Sequence, residues 1–298
     1  MTVALHEIDL MHMGVPGAIS AWLVSSAGGH VLIESGPAST LDALRAGLAR
    51  HGLECADLSA VLLTHIHLDH AGGAWALAQQ GVPVHVHHLG VGHMVDPTRL
   101  NQSSRRIFQD RFETLWGELQ PCPEHGVHGA HDGDVIEAGG LRFQAVETQG
   151  HADHHHAWHV LDAPDVCFAG DAAAMRLPGT RWVSLPMPPP ELNIDAWTAT
   201  IDRLEAGPWT KLALTHCGMV EDIPEHLAQL RAAMEQQVDW IRGSVDMPRP
   251  ERRAAYADLL RASARAADVP DGLFDTHVSR GLLDMNLTGV DRAFQSAK

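Results

Sequence analysis

The chain of 298 residues has one tyrosine, four cysteines and few basic residues, with 21 Lys and Arg against 37 Asp and Glu. Each shortage excludes something. A formal net charge of −16 gives no general attraction to a phosphate backbone, so a small-molecule substrate is expected rather than a nucleic acid. The cysteines, Cys55, Cys122, Cys167 and Cys217, form no C-x-x-C pair, which removes the zinc ribbon and the thioredoxin-type motif. Scattered thiols in a chain of this length fit a reducing, cytoplasmic setting. No apolar stretch reaches about 18 residues, so no membrane span is expected. The opening "MTVALHEIDLMHMG" lacks the basic-then-apolar pattern of a secretory signal. With 45% hydrophobic residues and no low-complexity tract, repeat or clear linker, the chain can bury a large core. One domain over residues 1–298 is expected, and its oligomeric state is not readable.

Histidine is abundant instead: there are 22. Most of that excess needs no special role, but "LLTHIHLDHAGG" at residues 62–73 does. His65, His67, Asp69 and His70 follow the buried-strand pattern "LSAVLLTH" and precede a Gly-Gly pair. Side chains at i and i+2 share a face in extended chain, so His65 and His67 can aim at one point. Asp69 and His70, where the loop enters a helix, can aim at a second. Imidazole with carboxylate suits zinc, iron or manganese.

The flanking pattern places this cluster at a strand end. "AISAWLV" and "HVLIESG" read as strands around the turn "SSAGG". Leu41, Leu44 and Leu48 have helical spacing, with Ser39 or Thr40 to cap the start and Gly52 to end the helix. "AGGAWALAQQG" reads as the next helix and "VPVHVHH" as the next strand. Ligand sites of α/β sheets lie at such strand ends. The same grammar recurs three times: "ETQGHADHHH" puts His151 after a strand-like run, "CFAGDAAAM" puts Asp171 after another, and "LALTHCG" puts His216 after a third. Four ligand-bearing strand ends imply convergence on one sheet edge. From about Pro224 the chain reads as helical.

The order H-x-H-x-D-H, G-H, G-D and a final H resembles the metallo-β-lactamase fold superfamily over roughly residues 15–220. The resemblance implies an α/β fold, a four-layer αββα sandwich, here with a helical C-terminal part at about 224–298. It implies that His65, His67 and His151 hold a first metal, that Asp69, His70 and His216 hold a second, and that Asp171 bridges them. Two divalent ions follow, zinc first, with iron or manganese as alternatives. "FAGDAAAM" is similar to the motif of glyoxalase II and lactonase-like members, whereas true β-lactamases of this fold generally lack the bridging aspartate. About 45 residues separate Asp171 from His216, which leaves no room for the extra domain of beta-CASP nucleases. Three departures stand out. Glu34 in "LIESG" replaces the usual aspartate that supports the metal ligands, Gln149 replaces a common proline, and the lone Tyr256 lies outside the matching region. His155 matches a family histidine that supports ligands rather than binding metal.

The function implied is hydrolysis of a thioester, lactone or ester by a hydroxide shared between two metals, with Asp69 orienting it or moving a proton. No G-x-S-x-G elbow is present. The alternative is a mononuclear iron oxygenase similar to persulfide dioxygenases; a small ribonuclease of this fold is the third reading, against which the acidic charge counts. His85, His87 and His88 on their strand are expected to be non-ligands. A helix over about 103–118 is expected to lie over the metals as a lid, with Arg105 and Arg106 as contacts for an anionic substrate group. The proline-rich "LPMPPPELN" is expected to form another wall.

Overall fold

Alternation along the strands decides the layering. In Ser20–Ser26, Trp22 and Val24 point into one apolar cluster while Ala21 and Leu23 point into another. The next strand, Gly29–Ile33, divides in the same way, with Val31 and Ile33 on one side and Leu32 on the other. Both faces are therefore buried, which is why these strands read as continuous apolar runs rather than as polar–apolar alternation.

The computed structural model describes residues 2–279 and 281–295; residues 280 and 296–298 of the expected helical part and residue 1 lie outside the described residues. The first sheet contains, side by side and in chain order, β1 (Ala4–Asp9), β2 (Ser20–Ser26), β3 (Gly29–Ile33), β4 (Leu58–Leu62), β5 (Val84–His87) and β6 (Val127–Ala130). The second is built from β7 (Val135–Ala138), β8 (Leu141–Glu147), β9 (His156–Val160), β10 (Val166–Phe168), β13 (Lys211–Ala213) and β14 (Met219–Val220), ordered β14-β13-β10-β9-β8-β7. A small hairpin, β11 (Met175–Arg176) with β12 (Val183–Ser184), stands apart. Trp22, Ile33 and Leu62 of the first sheet meet Phe143, Trp158 and Phe168 of the second between the two sheets.

Helices cover the outer faces. Over the first sheet lie α1 (Leu41–Ala49), α2 (Leu68–Ala71), α3 (Ala74–Ala78), α4 (Val91–Val95), α5 (Thr98–Phe108) and α6 (Phe112–Leu115). Over the second lie α7 (Ile194–Glu205), α8 (Ile223–Gly243), α9 (Arg249–Ala266), α10 (Asp271–Val278) and α11 (Leu282–Gln295). The result is the αββα sandwich with a helical C-terminal part. Leu41, Leu44 and Leu48 of α1 are all buried, as their spacing requires. Thr40 precedes that helix, but its hydroxyl donates to the Pro37 carbonyl instead of capping it.

Two sequence expectations change. "AGGAWALAQQG" is not one helix: α2 and α3 are separated at Gly72-Gly73, where a Cβ on Gly72 would sit 2.4 Å from the Leu68 carbonyl oxygen. The helix expected over 103–118 begins at Thr98 and breaks at Gln109, whose φ is +50°. That turn redirects the chain, so that Phe112 and Leu115 enter the core under the first sheet, Phe108 packs against the edge of that core, and Ile107 lines a cavity.

The topology aligns the strand ends. β3 and β4 run parallel, so their C-terminal ends share an edge. In the second sheet β8 is antiparallel to β9, β9 is antiparallel to β10, and β10 is parallel to β13. Two reversals restore direction, so β8, β10 and β13 also end together. The residues just past those ends include Glu34, His65, His151, Asp171 and His216.

Candidate metal centre

Seven side chains converge at that edge in two groups. In the first, His65 Nε2 lies 2.9 Å from His67 Nδ1, which lies 2.9 Å from His151 Nε2. In the second, His216 Nε2 is 3.4 Å from Asp69 Oδ2, and His70 Nε2 is 3.8 Å from the same oxygen. Asp171 stands between the groups. Its Oδ2 is 3.3 Å from His151 Nε2, and its Oδ1 is 3.4 Å from His70 Nε2 and 3.5 Å from His216 Nε2. Each group of three could hold a metal ion, and one carboxylate faces both.

The outer ring nitrogens fix which way the lone pairs point. His151 Nδ1 donates to the Pro186 carbonyl at 2.9 Å, and His216 Nδ1 to the Ala18 carbonyl at 2.8 Å. His70 Nδ1 donates to Glu34 Oε1 at 3.0 Å. The Thr64 hydroxyl gives its proton to Glu34, so it accepts from His65 Nδ1 at 3.1 Å. Each of these four imidazoles then turns its Nε2 toward the centre, the arrangement a metal ligand requires. His67 Nδ1 has at most one proton for two such neighbours. His70 Nε2, His216 Nε2 and Asp171 Oδ1 are buried with no hydrogen-bond partner at all. Buried polar atoms without partners are costly, and a cation between them removes the cost. The donor set therefore fits two divalent ions.

Electrostatics divide the donors. Burial, then neighbouring imidazoles, lowers the His65 ring well below its ordinary range and His67 to about 3, so both stay neutral donors. Burial alone would raise the Asp171 carboxyl, but His70, His216 and His151 hold it well below the usual carboxylate range. His70 and His216 are the reverse: burial lowers both, but Asp171 and Asp69, with Glu34 at His70, raise them, so a bound cation would displace a proton from each.

Glu34 answers for the departure from aspartate. It adopts a left-handed backbone (φ +63°) and is 1% exposed. Oε1 accepts from His70, from the Thr64 hydroxyl and from the Thr215 hydroxyl at 3.3 Å, and Oε2 accepts from the Thr64 amide at 3.3 Å. One carboxylate thus ties the ends of β3, β4 and β13. His155 holds Asp171: its Nδ1 donates to Thr148 Oγ1 at 2.8 Å, and its Nε2 accepts from the Asp171 amide at 3.2 Å. Gly170 (φ +50°) fits beneath, since a Cβ there would be 2.5 Å from Thr64 Oγ1 and 2.8 Å from His155 Nε2.

A cavity of about 310 Å³ opens above these side chains. Its wall includes the prolines at 186, 188, 189 and 190, in the place expected of that loop. Arg105 and Arg106 are not among the lining residues. Arg105 lies over the Phe112 ring and pairs with Glu113 at 2.7 Å and Glu118 at 3.5 Å, while Arg106 Nε donates to Gln102 O. The break at Gln109 brings Glu113 back beside Arg105, and with it the exposed pair turns from the cavity. Arg99 and Arg176 line it instead. His85 packs against His128, His87 bonds Glu147 and His88 stacks on His131; none joins the two metal groups. Sequence reasoning missed His154 and Glu191, which pair at 3.0 Å on the cavity wall, with His154 edge-on to His67. His154 sits in the visible "HHH" run, but nothing in the sequence marks Glu191 as its partner.

The family model described as "Metallo-beta-lactamase superfamily" matches residues 14–216, a span that opens before Glu34 and closes on His216, the last of the seven converging residues. A metallo-beta-lactamase fold-containing protein of Sulfurisphaera tokodaii is 26% identical over 195 residues, covering 63% of this chain and 72% of that protein. A hydroxyacylglutathione hydrolase of Aeromonas salmonicida is 29% identical over 116 residues, covering 38% of this chain and 35% of its own length. The crystal structure of a metallo-beta-lactamase family protein from Thermus thermophilus superposes with a TM-score of 0.70 at 21% identity, covering 98% of this chain and 93% of that one. With the sandwich, the shared strand edge and the match through His216 in agreement, this chain belongs to the metallo-beta-lactamase superfamily.

Proposed function

We propose that the protein is a dinuclear metal-dependent hydrolase of a small carbonyl compound: a thioester, lactone or ester. The observation that carries the reading is Asp171, one buried carboxylate with an oxygen toward each group of three donors. His65, His67 and His151 would hold one ion, and Asp69, His70 and His216 the other. Two divalent ions bound there, for which zinc, iron and manganese all suit the mixed imidazole and carboxylate donors, would supply a hydroxide at neutral pH and polarise a carbonyl oxygen.

The chain's own residues do the rest. Glu34, Thr64 and the Pro186 and Ala18 carbonyls keep the ligand nitrogens aimed inward. Asp69 is the carboxylate nearer solvent, with a side chain 22% exposed on the cavity wall. It can take a proton from the attacking water and return it to the leaving group. The apolar walls keep bulk water from the reacting carbonyl. The thioester option draws support from the relative named for hydroxyacylglutathione hydrolysis, across the shared segment only.

The test is turnover of a lactone, thioester and ester panel by protein stripped with chelator and reloaded with zinc, manganese or iron. Activity with one of the three carbonyl classes, lost on stripping and at least a hundredfold lower in Asp171→Asn, is the expected result. Metal-replete protein inert toward all three classes, or an Asp171→Asn variant with undiminished rate, would overturn it.

A further inference from the structure

The family match ends at His216, yet part of the cavity's wall comes from beyond it. Leu100, Ile107 and Phe108 of α5 form one side, and Leu273, Leu282 and Met285 of α10 and α11 are also in the wall. These two sides are joined. The Arg111 guanidinium donates to the Ser279 carbonyl past the end of α10, and a Cβ placed on Gly281 would lie 3.6 Å from the Phe108 ring. The metal ligands therefore sit at the base of an apolar slot, not on an open edge.

Among the described residues, the slot carries no built site for a negative group. Arg176 is buried, and both its terminal nitrogens are bound at 3.0 Å by the Asp222 carboxylate while Nε donates to His226. Arg99 is an exposed side chain at the rim. Glu191, the carboxylate nearest His67 on the loop wall, is itself negative and held down to about 2, against the effect of burial, by its bond to His154. Apolar surface continues outward. Ile107 is 40% exposed, and Met13, 47% exposed, lies between the wall residues His12 and Val15.

We propose that the site selects an uncharged, apolar acyl chain, with the carbonyl at the metal ligands and the chain lying between α5 and the α10–α11 helices. The chemistry rests on the hydrolase reading above; binding of the chain does not. In the reaction the oxygen of water forms the new bond to the acyl carbon, and the bond to the leaving oxygen or sulfur breaks. The departing atom keeps the electron pair and takes up one proton of the water, the other proton goes to solvent, and the carboxylate left behind is charged and less suited to the slot.

Two measurements test this. Calorimetry with straight-chain methyl ketones from hexan-2-one to decan-2-one needs no turnover. Affinity is expected to rise about threefold to fourfold per methylene, and Ile107→Glu, at a half-exposed position that does not threaten folding, is expected to flatten the series. Hydrolysis of p-nitrophenyl acetate, butyrate, hexanoate and octanoate is expected to climb in kcat/KM with length. The mono-p-nitrophenyl ester of adipic acid, which ends in a carboxylate, is expected to fall at least tenfold below the hexanoate. Ketone affinity independent of length, or equal turnover of the carboxylate-ended ester, would overturn the proposal. Ketones that bind in the expected series to a protein that cleaves no ester would uphold the slot and sink the hydrolytic chemistry instead.

Discussion

Replacing Glu34 by glutamine tests how the ligand set is held. The amide has the shape of the acid, so packing at this 1% exposed position is preserved. With its carbonyl oxygen in the place of Oε1, the new side chain would keep the donors His70 Nδ1, Thr64 Oγ1 and Thr215 Oγ1. Its NH2 would then face the Thr64 amide N–H, donor against donor, where Oε2 now accepts. One buried clash of donors costs about 1–3 kcal/mol. The three surviving bonds also lose their ionic partner, and charge-assisted bonds are roughly twice as strong as neutral ones. The metal-free fold should therefore lose about 2–4 kcal/mol in urea unfolding. Loss of the anion behind His70 makes that imidazole a poorer donor, and such supporting contacts are worth about 10- to 100-fold in metal affinity. The loss should fall on the ion held by Asp69, His70 and His216, because His65 keeps its bond to Thr64. Competition against a chromophoric chelator resolves the two dissociation constants. Two constants both within twofold of the unaltered protein, in a variant that melts normally, would refute the role given to Glu34.

Three further predictions follow from the same physics. Gly170→Ala needs a side chain at φ +50° and within 2.5 Å of Thr64 Oγ1, so it should lose activity and about 2 kcal/mol or more of stability, checked by urea unfolding. Asp222→Ala strands the buried Arg176 charge and should cost about 3 kcal/mol, read as a shifted unfolding midpoint at constant slope. Burial lowers the neutral rings of His85 to about 4, His156 to about 3 and His226 to about 4. These folded values lie below the unfolded value, so their contribution is complete above about pH 6.5. Below it the unfolded state binds more protons, and stability should fall by up to about 1.4 kcal/mol per pH unit for each ring. Urea titrations from pH 7 to 4.5 check this, and a flat profile would contradict the buried neutral assignment.

The metal-centre residues were legible because each follows an apolar strand, and strands that run the same way must deliver their ends to one edge. The bridging position of Asp171 came with the family resemblance and not from spacing. Glu34 was legible as a supporting group, but its four bonds were not, because Thr215 is distant in sequence and meets it only after the second sheet closes on the first. The same distance hides the Arg176–Asp222 pair and the His154–Glu191 pair. The long helix was misread because Leu100, Ser104, Phe108, Phe112 and Leu115 keep helical spacing straight through Gln109. Nothing in that spacing shows a left-handed residue. The roof from α10 and α11 was hidden for another reason: an amphipathic helix shows that one face is covered, not which part of the fold covers it.

The central claim is that seven residues hold two metals, and metal content tests it most directly. Protein made without a histidine tag or added metal would be measured by elemental mass spectrometry alongside Asp171→Asn. The account predicts about two zinc or manganese atoms per chain, and fewer in the variant. One iron per chain, unchanged by the substitution, would contradict it and direct the next assay to oxygen uptake.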